Sequence, residues 1–153
     1  MSRLLAIDPG LSGALVTLTD GIRIHCDDMP TIKVRDKNRI DVAAFVQLIV
    51  DIGPVDLVIV EDVQGVQGSG ATSAFTFGRG VGVIEGVLAS FERPVLYVTP
   101  QRWTKALGVG SDKGAHRQLA QRLFPADAGL FARVKDDGRA DAALLAYYGT
   151  LAK

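Results

Sequence analysis

Residues 4–16 read Leu4-Leu5-Ala6-Ile7-Asp8-Pro9-Gly10-Leu11-Ser12-Gly13-Ala14-Leu15-Val16, and their pattern decides the fold. An apolar run short enough to be a buried strand stops at a carboxylate. Pro9-Gly10 then turns the chain. Ala14 to Thr19 predicts a second strand, Asp20-Gly21 a hairpin turn, and Ile22 to Cys26 a third strand with Ile22 and Ile24 on one face. A polar, basic segment follows to Arg39. Asp41 is the expected N-cap of an amphipathic helix over Val42 to Ile52, stopped by Gly53-Pro54. Val55 to Val60 reads as a central strand buried on both faces and ending at Glu61-Asp62. A Gly-rich loop at 64–71 leads into a small-residue helix from Thr72 to about Phe91. Pro94 to Thr99 is the fifth strand, helices are expected near 100–107 and 112–124, and a last helix runs from Ala140 to Leu151. Three meandering strands followed by helix–strand crossovers predict an α/β fold: a mixed five-stranded sheet with helices on both faces.

Bulk properties agree with one globular domain over residues 1–153. Apolar residues make up 48% of the chain, enough for a core without disulfide staples. The lone Cys26, with only His25 and His116 beside it, excludes an intramolecular disulfide and a zinc site built on Cys and His. No apolar run approaches the roughly 20 residues that span a bilayer. Asp8 cuts the N-terminal apolar stretch too short for a signal peptide, so no membrane partner and a cytoplasmic location are expected.

A formal net charge of zero conceals segregation. Residues 101–124 carry Arg102, Lys105, Lys113, Arg117 and Arg122 against Asp112 alone. Residues 33–39 carry Lys33, Arg35, Lys37 and Arg39 against Asp36. Basic stretches of this kind suit a nucleic-acid partner, although they also read as ordinary solvated faces.

The acids carry the chemistry. A carboxylate at the end of a buried strand is costly unless paired or bound to a cation, and the pattern occurs at both Asp8 and Glu61. If the first and fourth strands lie parallel and adjacent, both acids meet at the C-terminal edge, where open sheets bind ligands. Lys135-Asp136-Asp137-Gly138-Arg139-Ala140-Asp141 adds a third source. Asp137 and Asp141, four apart, share a helix face, whereas Asp136 points about 140° away from Asp141. Such carboxylates repel one another, and two divalent ions about 3.5–4 Å apart would neutralise them. One would activate an attacking water and the other the leaving 3′ oxygen. Oxygen donors without sulfur favour Mg²⁺, with Mn²⁺ as a substitute. Taken singly, Asp8-Pro9-Gly10 also reads as a turn opener, Glu61-Asp62 as a strand exit, and Asp137 and Asp141 as an N-cap and a first-turn acid.

In order along the chain, "LLAIDPGLSGALV", "DLVIVEDV", "SAFTFGRGVGVIEGVL", "WTKALGVGSDKG" and "DDGRADAALLAYY" resemble the motifs of RuvC-like Holliday-junction resolvases, nucleases of the ribonuclease-H-like superfamily. The resemblance spans most of the chain, the length fits, and a phage or prophage version is the expectation. It implies a metal-dependent endodeoxyribonuclease that resolves four-way junctions by paired nicks. Its implied metal ligands are Asp8, Glu61, Asp137 and Asp141, with Lys105 or Lys113 at the scissile phosphate. DNA contacts would come from Arg102, Lys105, Lys113, Arg117, Gln67 and Arg79, and the partner is branched DNA. Two departures stand out. Position 138 is glycine where cellular enzymes carry an aspartate, so Asp137 or Asp136 must replace that ligand, with helix geometry favouring Asp137. The residues after Glu61 lack the aromatic that wedges into the junction; Val66, Gln67, Phe75 and Phe77 stand nearby. Trp103 is expected to pack. Gly78, Gly80, Gly82 and Gly86 point to a homodimer packed partly through their helix, with a two-fold symmetry matching a four-way junction.

Other readings remain open. Asp8 to Gly13 also resembles the first phosphate loop of actin- and hexokinase-type folds, but no second Asp-x-Gly loop follows and such proteins need two domains. A catalytically silent nucleic-acid-binding module would not need the full set of acids. A nuclease acting on RNA–DNA hybrids or other branched DNA has the same sequence signature.

Overall fold

The computed structural model describes residues 2–65 and 70–152. Its elements are β1 (Arg3–Ile7), β2 (Ala14–Thr19), β3 (Arg23–Asp28), β4 (Thr31–Val34), β5 (Lys37–Ile40), α1 (Val42–Ile52), β6 (Leu57–Glu61), α2 (Ala71–Ser90), β7 (Val95–Val98), α3 (Pro100–Ala106), α4 (Lys113–Leu123) and α5 (Asp137–Leu151). Five strands form one sheet in the order β3-β2-β1-β6-β7. β1 is antiparallel to β2 and parallel to β6, and β6 is parallel to β7. Ile7 is in register with Val60, so Asp8 and Glu61 lie one step further along neighbouring parallel strands.

Side chains alternate across the pleat, which gives the sheet two cores. Leu5, Ile7, Leu15, Val58 and Val60 face α1 and α2, where Phe45, Ile49, Ile84 and Leu88 are buried. Ala6, Val16, Leu18 and Ile59 face the other side, against Leu144, Leu145, Trp103 and Phe124. α5 is buried on nearly every side, and its many alanines let it lie close to the sheet.

Local chemistry accounts for most boundaries. The Asp41 carboxylate accepts from the Ala44 N–H at 3.1 Å, capping α1, and Gly53 ends that helix at φ 72°. Four expectations shift. The strand expected from Val55 begins at Leu57, because Asp56 is held by the backbone of Arg3. Ile22 lies exposed in the turn, and β3 runs on to Asp28 opposite Ala14. α5 starts at Asp137 instead of Ala140, since Asp136 and Arg133 cap each other in a short 3₁₀ turn that feeds the helix. The basic segment before Arg39 is not featureless: β4 and β5 pair as a separate hairpin.

Candidate active site

The site forms where three elements end together. Asp8 leaves β1, Glu61 ends β6, and Asp141 faces them from the second turn of α5. Gly138 makes this approach possible. A Cβ there would come within 2.2 Å of the Ser12 carbonyl oxygen and 2.8 Å of Gly13 Cα, so the turn after Asp8 and the start of α5 touch backbone to backbone. An aspartate at 138 would not fit unless that turn moved away from α5.

The three acids act on one another. Burial, then the charges of Glu61 and Asp141, push the Asp8 carboxyl up to about 7. Glu61 is also raised, first by burial, although a hydrogen bond from Trp103 opposes the shift and Asp141 adds to it. The α5 acid that acts on both is Asp141. Lys113 supplies the local countercharge. Its ammonium donates to the Asp141 carboxylate. Burial alone would lower its pKa, but Asp141, Asp8 and Glu61 together raise it. The cluster thus gathers three mutually repelling carboxyl groups around one ammonium.

Two neighbours fix the carboxylates, and neither role was legible in the sequence. Trp103, expected only to pack, is fully buried and donates its indole N–H to Glu61 Oε1 at 2.9 Å. His116 stands 2.7 Å from Asp141 Oδ1 through Nδ1 and 2.6 Å from the Gly110 carbonyl through Nε2. A carbonyl only accepts, so the Gly110 contact is made by an Nε2–H donor. The Trp103 and His116 rings meet edge-on with centroids 5.1 Å apart. The signal available for His116 was its place three residues after Lys113, on the same face of a capped helix.

The remaining site candidates separate. Asp137 is half-exposed and paired with Arg117. Asp136 is buried between Arg133 and Arg139: hydrogen bonds from Arg133, then the charges of both arginines, hold it below the usual carboxylate range. Its partners make it a brace for the start of α5. Lys105 and Arg102 are exposed on α3 with no ion pair among the described residues, so of the two lysines only Lys113 sits among the acids. Arg79 is exposed on α2, and Gln67 lies outside the described residues. Of the helix glycines, Gly80 faces Ile40 inside the chain, where a Cβ would come within 3.2 Å of it. Gly78, Gly82 and Gly86 meet nothing.

For divalent cations the donor chemistry fits: three oxygen-only side chains, buried, mutually repelling and already drawing an ammonium into their midst. As the side chains stand, no trio of metal-ligating residues is gathered around one point among the described residues. Asp141 is engaged by Lys113 and His116 instead. Among the described residues no helix is long and apolar enough to cross a membrane.

No protein-family model matches the sequence, and no curated protein matches it. Solved structures do. Thermus thermophilus RuvC in complex with a Holliday junction substrate superposes with a TM-score of 0.68 at 15% identity, covering 98% of this chain and 93% of that one. The chain has the RuvC fold. A second T. thermophilus RuvC structure gives 0.61 at 16% identity over 97% and 93%. The yeast mitochondrial Holliday junction resolvase Ydc2 gives 0.54 at 13% identity over 96% and 78%. The mixed sheet with helices on both faces is therefore a ribonuclease-H-like α/β fold of the RuvC kind.

Proposed function

We propose that the protein is a metal-dependent endodeoxyribonuclease that resolves four-way DNA junctions by paired symmetric nicks, in recombination or phage DNA processing. The observation that carries this reading is the convergence of Asp8, Glu61 and Asp141, with the Lys113 ammonium drawn among them. It stands at the edge of a fold shared with a RuvC that is known in complex with a Holliday junction substrate.

Asp8, Glu61 and Asp141 would hold two Mg²⁺ ions, or Mn²⁺ in their place, with Asp137 joining as fourth ligand once Arg117 releases it. Bound there, the ions would lower the pKa of the attacking water and stabilise the leaving oxygen. Trp103 and His116 fix the Glu61 and Asp141 carboxylates in place, which keeps the donor set ordered before substrate arrives. Displaced from Asp141, the Lys113 ammonium is free to grip the scissile phosphate. Arg102, Lys105, Arg117, Arg79 and Gln67 supply contacts to the DNA backbone. The working form is a cytoplasmic homodimer of single-domain subunits, so that one site meets each of two opposed strands.

The test is incubation with labelled four-way junction, duplex and RNA–DNA hybrid, in Mg²⁺ or in chelator. Symmetric nicks on the junction, in Mg²⁺ only, are expected. Cutting that persists in chelator removes the metal mechanism, and cutting of the hybrid in preference to the junction removes the substrate.

A further inference from the structure

The basic stretch at residues 33–39 is absorbed by nothing so far, and the fold gives it a definite shape. Val34 pairs with Lys37, leaving Arg35-Asp36 as a two-residue turn with φ of 50° and 61°. Such turns favour Asn-Gly or Asp-Gly because both residues need positive φ. Aspartate tolerates this conformation, but arginine at the first position is held against its preference. Strain of that kind in an exposed tip points to a use for the side chain it presents.

The register places Ile32, Val34, Lys37 and Arg39 on one face of the hairpin. That face and the turn stand across a groove of about 500 Å³ from α2. Arg35, Lys37 and Arg39 line it from the hairpin, Arg79 and Phe75 from the helix, and no carboxylate lines it. None of these four cations is in an ion pair among the described residues, whereas Lys113, Arg117, Arg133 and Arg139 all are. The Phe75 ring is 72% exposed beside them. A second groove, of about 430 Å³, shares Lys37 with the first and runs to Pro9 and Leu11, immediately after Asp8. The basic groove therefore opens onto the active-site edge.

We propose that the groove between the β4–β5 hairpin and α2 is a second nucleic-acid track, which grips the phosphodiester backbone of the substrate and leads it to Asp8. Cations that share a groove and have no ion-pair partner are what a polyphosphate strand satisfies. An exposed aromatic among them offers a flat surface to sugar or base. The proposal rests on the nuclease reading above and adds a contact on the side of the site opposite the Lys113 and Arg117 helix.

The test is the triple variant Arg35→Gln, Lys37→Gln, Arg39→Gln. Its affinity for labelled four-way junction and duplex is measured in chelator over a range of salt, beside the wild type. Each lost phosphate contact flattens the slope of log K against log salt by about 0.9. A slope shallower by about two to three, and affinity down at least about tenfold near 0.1 M salt, are expected, with an unchanged melting curve. Unchanged slope and affinity, in a wild type that binds and cuts, overturn the groove alone. A wild type that binds no DNA at any salt overturns the nuclease reading and the groove with it. A variant that loses dimer in sedimentation while its salt slope stays the same also overturns the proposal, because the groove is then an interface between copies.

Discussion

The carboxylate edge and the hairpin groove lie on either side of the turn that follows Asp8, and they treat charge in opposite ways. At the edge, acids from β1, β6 and α5 are pressed together under cover, and Asp141 is only 4% exposed. Each is fixed by a specific neighbour: Trp103 for Glu61, His116 and Lys113 for Asp141, the Gly10 N–H for Asp8. In the groove, cations line the walls without an ion-pair partner among the described residues, and no carboxylate lines it with them. The first region crowds carboxyl groups whose ionisation burial and mutual repulsion oppose, and it calls for cations. The second holds surplus positive charge at the surface and calls for anions. On the proposed function, a nucleic acid with divalent ions at its scissile phosphate would satisfy both together, and the segregation of charge is what would let a chain of zero net charge bind it.

The largest effects separate cutting from holding. Asp8→Asn, Glu61→Gln and Asp141→Asn should each lower the single-turnover cleavage rate by at least about 10³-fold and leave junction binding in chelator intact. Asp136 is as deeply buried as Asp141, but its carboxylate serves Arg133 and Arg139. Asp136→Asn should lower the melting temperature by about 5 °C and spare the cleavage rate. If Asp136→Asn abolished cutting in a protein that still melts normally, the boundary drawn between the two aspartates would be wrong.

A smaller effect concerns the cost of holding the acids together. The Asp8 carboxyl is raised to about 7, chiefly by burial and then by Glu61 and Asp141, from 3.8 when unperturbed. A raised carboxyl binds its proton more tightly in the folded state. Its contribution to stability is therefore complete below about pH 4 and is lost as pH climbs through about 7. In chelator, Asp8→Asn should melt above the wild type by a gap that widens from about pH 4 to about pH 7 and then levels off. Mg²⁺ should close the gap by raising the wild type. A gap that stays constant across that range would mean Asp8 is not under charge stress.

The smallest effect tests the groove. Arg35 adopts a positive φ that glycine takes without strain, so Arg35→Gly should leave the melting temperature unchanged or raise it by a few degrees, equivalent to about 1 kcal/mol or less. It should weaken junction binding at the same time. A variant with loss of both stability and binding would show that the arginine holds the hairpin together.

Much of this was legible in the chain. The abrupt change from apolar run to acid at Asp8 and Glu61 marked both strand ends, because buried strands admit carboxylates only at their exits. Asp41 and Gly53 marked α1, since capping chemistry is local. The expectation that the first and fourth strands of the sheet lie adjacent and parallel, so that their terminal acids meet, is what the pairing of β1 with β6 shows. The β4–β5 hairpin was missed because its strands are four residues each, largely exposed, and joined by Arg35-Asp36 in place of a glycine-bearing turn.

The sequence by itself determined which residues could be acids at strand ends, where helices are capped, and that basic charge is gathered in two stretches. These follow from periodicity and neighbours a few residues apart. Only the tertiary structure decided that Asp141 faces Asp8 and Glu61 while Asp136 turns to Arg133. Only there do Lys113 rather than Lys105 enter the cluster, Trp103 and His116 hold its carboxylates, and Gly138 take the place where an aspartate would collide with Ser12. Those outcomes depend on how closely α5 approaches the β1–β2 turn and on how α3 and α4 pack against it. No local pattern encodes distances between elements separated by scores of residues; the packing of their side chains and backbones sets them.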